Sequence, residues 1–279
     1  KILDINDANK LLGTSLTILE TQKNLKKMGL LSIQKTETML EVLVPQYRVD
    51  ILHSVDLIED LLIAYGYENI SQTLPERYTY GEESPDNVIA NRVRYILTST
   101  GYLEVRTLIL TNEKLEYINL NLESSKERTI ILNPITTETT GIRTSLIPGL
   151  LNILRFNKHR PYPQNIFEVG YIVNRGKNEL HLGIIKAEPK VNFLDMKGLA
   201  TLILDELNIK HELELLDKRA YISGRSASIQ IVGGMQQEAQ VIGEFGEVHP
   251  TVLENFELKM PCGAIEFNIS KLSQGVNSE

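Results

Sequence analysis

Apolar and polar positions alternate along this chain with two periods, and the switches between them outline its elements. Residues 5–12 have the spacing of a short helix. Residues 15–27 form a second, with Leu16, Leu19, Leu25 and Met28 on its apolar side and Gly29 to stop it. Two strands, 30–34 and 39–44, flank a polar turn. A third helix is expected between Ser54 as N-cap and Gly66 as C-terminal cap, with Val55, Ile58, Leu62 and Tyr65 buried. Residues 71–87, punctuated by Pro75, Gly81 and Pro85, read as a linker. Beyond it, Ile89, Val93, Ile96 and Leu97 stripe a helix over 85–100, and 102–110 reads as a strand. Another strand is expected at 128–132, then a helix capped by Ser145 that carries Pro148 in its first turn and ends near Asn157.

The remainder is strand-rich. Strands are expected at 165–170, 181–187, 211–216, 224–232, 241–244 and 264–269, with a helix at 193–207. Gly233-Gly234 reads as a hairpin turn, and residues 246–250 turn into a short helix ending near Phe256. Many strands with few helices between them argue for an α+β protein, with a mainly antiparallel sheet covered by helices. The expected organisation is a small module at 1–72, a linker at 73–86 and a larger core at 87–279. Helices followed by a β-ribbon give the small module a winged-helix-like order.

Composition narrows the function. The 279 residues are 42% hydrophobic and carry a net charge of −7, which argues against a surface that grips nucleic acid broadly. Lys23, Lys26 and Lys27 are the only basic cluster of the small module and read as a solvated face. Trp is absent, so an aromatic platform for single strands is not evident. The single cysteine, Cys262, excludes an internal disulfide and points to a reducing cytoplasmic compartment. No apolar run approaches the length of a membrane span. The chain starts at Lys1 without a signal-peptide pattern and reads as part of a longer protein.

The densest chemistry lies in one stretch, Val44 to Tyr67. Asp50, Asp56, Glu59 and Asp60 put four carboxylates within eleven residues, the last three at i, i+3 and i+4 on one helical face. Such a cluster repels itself unless something positive sits among it. Hard oxygen donors suit Mg²⁺; acids that favour a helix N-terminus and face water explain the same spacing.

This stretch resembles the signature of the small domain that precedes the synthetase-like core in phenylalanyl-tRNA synthetase β subunits. That signature is Pro-x-Tyr-Arg-x-Asp, then Asp-Leu-Ile-Glu-acid, then Tyr-Gly-Tyr. Here it is carried by Pro45, Tyr47, Arg48 and Asp50, then Asp56 to Asp60, then Tyr65 to Tyr67. The resemblance continues in order. Asn133-Pro134, Arg143-Thr144-Ser145-Leu146 with Pro148-Gly149-Leu150-Leu151, a basic loop and Phe167-Glu168-Val169-Gly170 follow the family pattern, as does the segment beginning Phe193-Leu194-Asp195-Met196-Lys197-Gly198. Gly246-Glu247-Val248-His249-Pro250 looks more like the archaeal and eukaryotic kind.

The resemblance implies a class II synthetase-like core, with Asp50, Asp56, Glu59 and Asp60 as Mg²⁺ ligands. It implies a holoenzyme of two α and two β subunits that charges tRNA(Phe) using ATP, with catalysis in the α subunit. The helix over 85–100 and the strand after it would lie in the subunit interface. An isolated fragment is expected to be capable of pairing with a second copy. A working class II core needs an arginine on its second-motif strand and another in a Gly-x-Gly-x-x-Arg third motif. Here the Phe-Arg-x-Glu pattern is missing, and the third-motif stretch reads Ala264-Ile265-Glu266-Phe267-Asn268-Ile269, without glycine or arginine. The core is therefore expected to be catalytically inactive, with no catalytic residue of its own. The alternative is a stand-alone regulatory or RNA-binding paralogue.

Smaller features have plain readings. His249 is expected to be packed or capping, and Arg143 and Arg225 to form structural ion pairs or subunit contacts. The tip from Arg155 to Arg160 reads equally as a solvated loop or as a contact for RNA or partner. Gly243-x-x-Gly246 lacks the strand–loop–helix context of a dinucleotide loop.

Overall fold

A computed structural model describes residues 1–74, 79–231 and 240–276. The chain divides into two compact units, Lys1–Tyr80 and Gly81–Glu279.

In the first unit, strand β1 (Ile2–Asp4) leads into helix α1 (Ile5–Leu12), then α2 (Ile18–Lys27), β2 (Leu31–Gln34), β3 (Met39–Leu43) and α3 (Ser54–Tyr65). The three strands pair antiparallel in the order β1-β3-β2. Asp4 caps α1, and Gly13, with φ of +67°, ends it in the left-handed region that glycine tolerates. A capping box of Thr17 and Glu20 starts α2 three residues later than expected. Leu25 is fully buried, whereas Leu19 is exposed. The core joins Leu3, Leu25, Leu30, Leu40 and Val42 to the inner face of α3.

Two expectations for α3 need correction. His53, not Ser54, is the N-cap: its Nδ1 accepts the Val55 N–H at 3.3 Å. The buried stripe is Leu57, Ile58 and Leu61, while Val55 is exposed and Leu62 and Tyr65 are half-buried. The face is rotated because Ile51, on the arm before the helix, is itself buried and joins the same core.

In the second unit, α4 (Pro85–Ser99) is capped by Ser84, and its buried stripe is Ile89, Ala90, Val93 and Leu97. The strand expected over 102–110 is not continuous. Only β4 (Leu103–Glu104) and β5 (Leu110–Thr111) form, and α5 (Glu113–Glu116) follows. The strand expected at 128–132 reduces to one bridge between Ile130 and Gly141, at β6 (Gly141–Ile142). Then come α6 (Ile147–Phe156), β7 (Gln164–Asn174), β8 (Lys177–Ala187), α7 (Phe193–Glu206), β9 (His211–Leu215), β10 (Tyr221–Ile231), β11 (Gln240–Val248), α8 (Pro250–Asn255), β12 (Cys262–Asn268) and α9 (Ile269–Val276). β11 continues through Val248, so the turn expected at 246–250 begins only at His249, which caps α8. Pro75, Val232 and the hairpin turn at Gly233-Gly234 lie outside the described residues.

Seven strands make one sheet in the order β4-β7-β8-β12-β11-β10-β9. Every pair is antiparallel except β4 with β7. One apolar cluster gathers residues of α4, α7 and α9 with Phe167, Leu182, Phe245 and Phe267. A second gathers α6 and α8 with Ile166, Ile185, Cys262 and Ala264. Along a strand the side chains alternate, so Phe167 belongs to one face and Ile166 and Glu168 to the other. The sheet is thus covered on both faces. Gly243 and Gly246 are strand residues whose added Cβ atoms would meet Phe267 and Ser226, so they serve close strand packing.

Candidate functional site

The four acids predicted as ligands occupy an arm and the first turns of α3. In the arm, the Arg48 N–H closes a turn on the Pro45 carbonyl. Arg48 then does what the cluster needs. Its Nε donates to Asp50 Oδ1 at 2.9 Å, and its Nη2 donates to Asp50 Oδ2 at 2.7 Å and to Asp60 Oδ2 at 2.8 Å. These hydrogen bonds hold the Asp50 carboxyl below its usual range. Asp60 is buried. Asp56 Oδ2 accepts the backbone N–H groups of His53, at 2.6 Å, and of Leu52, at 2.7 Å, and these hold its carboxyl low as well. Glu59 is exposed, without an ion pair among the described residues.

The fit to a metal can be judged from these contacts. Asp50 and Asp60 both face a guanidinium, Asp56 has one oxygen, Oδ2, on two backbone amides, and Glu59 has no ion pair among the described residues. Among the described residues, no three acidic, histidine or cysteine side chains gather around a point where an ion could sit. In this arrangement the residues do not fit a Mg²⁺ held by the four carboxylates. The sequence reading missed the role of Arg48. The signal was a lone cation two residues before Asp50, inside an acidic run.

The second region of interest is the polar row on the sheet of the larger unit. Register places Glu168 of β7 beside Gly183 of β8, Gly183 beside Glu266 of β12, and Glu266 beside Glu244 of β11. Three carboxylates therefore share one face near the middle of the sheet, and each is compensated by the chain itself. Arg143 Nη1 donates to Glu168 Oε1 at 2.8 Å, with both side chains buried. Thr107 donates its hydroxyl to Glu168 Oε2 at 2.6 Å. Glu266 accepts from Ser145 Oγ, at 2.5 Å, and from the Leu146 N–H, at 3.1 Å, and it meets His181 Nδ1 at 2.9 Å. Burial alone would push the Glu266 carboxyl up. Hydrogen bonding and charge from His181, with the Ser145 and Leu146 donors, outweigh it and hold the carboxyl low. Glu244 takes Lys218 Nζ at 2.6 Å and Tyr221 OH at 3.0 Å.

Residues 143–146 thus lie across the row. Gly183 supplies the space beneath them: a Cβ there would stand 2.7 Å from Leu146 Cβ. Gly183→Ala is expected to cost roughly 1–3 kcal/mol through overpacking, read from urea unfolding. One residue further back, Thr144 gives its N–H to Glu116 Oε2 at 2.9 Å. Glu116 is buried, and burial raises its carboxyl to about 7. Ser145 was expected to cap α6. The N-cap is instead Leu146, which offers no side-chain acceptor; Ser145 lies one residue earlier, its Oγ accepting the Ile147 N–H while its hydroxyl proton goes to Glu266.

The remaining readings resolve simply. His249 caps α8, and Arg225 pairs with Glu247 at 2.8 Å. In the basic tip, Arg155 and Lys158 both pair with Glu257, which leaves His159 and Arg160 exposed without an ion pair among the described residues.

The fold is similar to that of a known solved structure. A pyrrolysyl-tRNA synthetase from Desulfitobacterium hafniense superposes with a TM-score of 0.54 at 14% identity, covering 67% of each chain. The likeness is one of architecture alone: an α+β fold with one large mixed sheet and helices, similar to that of the pyrrolysyl-tRNA synthetase. The family follows from sequence. The model of the phenylalanyl tRNA synthetase beta chain CLM domain matches residues 70–269, and that of the tRNA synthetase B5 domain matches residues 2–67. The chain belongs to the phenylalanyl-tRNA synthetase β-chain family. A phenylalanine–tRNA ligase β subunit from Archaeoglobus fulgidus is 40% identical over 96% of this chain and 48% of its own length. One from Methanosarcina barkeri is 35% identical over 98% and 49%. The chain spans about half the length of the curated relatives it matches. These relatives support the β-subunit reading and lend no support to a stand-alone regulatory paralogue. No helix among the described residues is long and apolar enough to cross a membrane.

Proposed function

We propose that this chain is a non-catalytic portion of a phenylalanine–tRNA ligase β subunit and scaffolds the catalytic α subunit of a cytoplasmic enzyme of two α and two β subunits. The observation that carries this reading is the row of Glu168, Glu266 and Glu244. A site for ATP phosphates needs preorganised positive charge where negative charge develops. On the second-motif strand, β7, and the third-motif strand, β12, this chain instead buries carboxylates and satisfies them with its own Arg143, Ser145 and His181. ATP, the Mg²⁺ that accompanies it and the phenylalanine would then be held by the α subunit, and tRNA(Phe) would be met through the assembly. Helix α4 and strand β4, at one edge of the sheet, are the surfaces expected to face a subunit. The antiparallel ribbon and three helices of the first unit support a winged-helix-like module over 1–72, followed by a linker at 73–86 and the core at 87–279.

The test is phenylalanine-dependent exchange of pyrophosphate into ATP. The chain alone is expected to give no exchange above background, and a cognate α subunit to restore it. Exchange by the chain alone would overturn the reading, because among the described residues the middle of this sheet face carries carboxylates where a phosphate site needs positive charge.

A further inference from the structure

We infer that Arg48 is the resident cation of the acidic arm, so that its carboxylates take an intramolecular guanidinium in place of a divalent metal. The geometry is specific. Arg48 meets Asp50 through two nitrogens, Nε on Oδ1 and Nη2 on Oδ2, the forked arrangement that a planar guanidinium makes with a carboxylate. The same Nη2 reaches Asp60, twelve residues on and one face of a helix away. One cation therefore spans the two acids that a metal would have to bridge.

Three further facts support this assignment. Asp60 is 6% exposed, and a buried carboxylate needs a partner of opposite charge, which Arg48 supplies. Asp56 Oδ2 accepts two backbone amides at the mouth of α3, which holds this carboxylate on the helix and leaves only Oδ1 to face elsewhere. Arg48 keeps only 20% of its side-chain surface exposed, which places the guanidinium inside the cluster. A metal bridging Asp50 and Asp60 would have to displace Arg48, which occupies both Asp50 oxygens and Asp60 Oδ2. A guanidinium also asks for none of the octahedral geometry that Mg²⁺ demands.

The consequence is mechanical. The arm from Val44 to His53 is latched to α3 by Arg48–Asp60 at one end and by the Asp56 cap at the other, at any magnesium concentration.

The test uses the whole chain. Calorimetric titration with MgCl₂ is combined with amide hydrogen exchange over residues 44–60, for wild type and for Arg48→Met and Arg48→Lys. Wild type is expected to give no binding heat at millimolar Mg²⁺ and the same exchange in Mg²⁺ as in EDTA. Arg48→Met is expected to exchange at least about tenfold faster in the arm, to bind Mg²⁺, and to recover protection when it does. Arg48→Lys keeps one charge but not the fork, and its arm should fall between the two. Saturable Mg²⁺ binding by wild type, with arm protection lost in EDTA, would overturn the inference. So would an Arg48→Met arm that exchanges no faster than wild type. The readouts involve no aminoacylation, so failure here leaves the scaffold reading untouched.

Discussion

Replacing Arg143 by methionine is expected to destabilise the larger unit by about 3–5 kcal/mol, the usual cost of removing one partner from a buried ion pair. The reason lies in what remains. Glu168 is 1% exposed, and its Oε1 would lose the guanidinium while staying buried. The Tyr171 carbonyl would lose its donor as well, since Arg143 Nε binds it at 2.8 Å. Urea unfolding followed by far-ultraviolet circular dichroism reads the loss directly. The Arg143→Met/Glu168→Gln double variant should cost less than the sum of the singles, because the second change removes the charge that the first left stranded. A single variant that costs under about 1 kcal/mol would contradict the buried pair.

The second large effect depends on pH. Burial raises the Glu116 carboxyl from 4.5 to about 7. Below pH 4.5 the group is protonated in both folded and unfolded chains and costs nothing. Between pH 4.5 and 7 the unfolded chain releases the proton that the folded chain keeps, so stability falls as pH rises. Above pH 7 the buried charge is carried in full. The whole penalty is on the order of 3 kcal/mol. Glu116→Gln keeps an oxygen for the Thr144 N–H and removes the charge. It should match wild type near pH 4 and be more stable by up to about 3 kcal/mol at pH 8. Denaturant midpoints at the two pH values check this. Glu266 acts in the opposite sense. Its carboxyl is held low, so its contribution is present above pH 4.5 and is lost on further acidification. Comparison of Glu116→Gln with wild type at each pH separates the two.

Local signals carried much of this fold. Helix α1 was legible to the residue because Asp4 and Gly13 punctuate it and Ile5 and Ala8 fall on one side. The antiparallel strands from β7 onward were legible as short β-branched and apolar runs, although the end of β7 was set too early and the start of β8 too late: the two run on together to a tight turn at Arg175-Gly176. The rotation of α3 was not legible, because the burial of Ile51 depends on how the arm folds back. The same holds for the segment 102–111. Its β-branched content suggested one strand, but Thr107 leaves any ladder to meet Glu168 across sixty-one residues of sequence. The acidic arm was conspicuous as a cluster of charge. What neutralises it depended on one rotamer of Arg48, which spacing does not encode. The single glutamates in Phe167-Glu168-Val169, Ile265-Glu266-Phe267 and Gly243-Glu244-Phe245 were a readable sign of a polar row, but their alignment needed the register.

The close approach of Leu146 to the strand at Gly183 bears on what it would take to build an anion site on this face. Arginines installed at positions 168 and 266 would not by themselves rebuild an anion site. The first would face Arg143 with no acid between them, and the second would stand against the Leu146 amide and His181. Leu146 and Leu150 would still lie on the strand between the two positions. Each step towards activity is unfavourable until residues 143–151 have moved as well. The arrangement works as a ratchet: a single substitution at 168 or 266 leaves residues 143–151 in place, so neither change by itself opens the face.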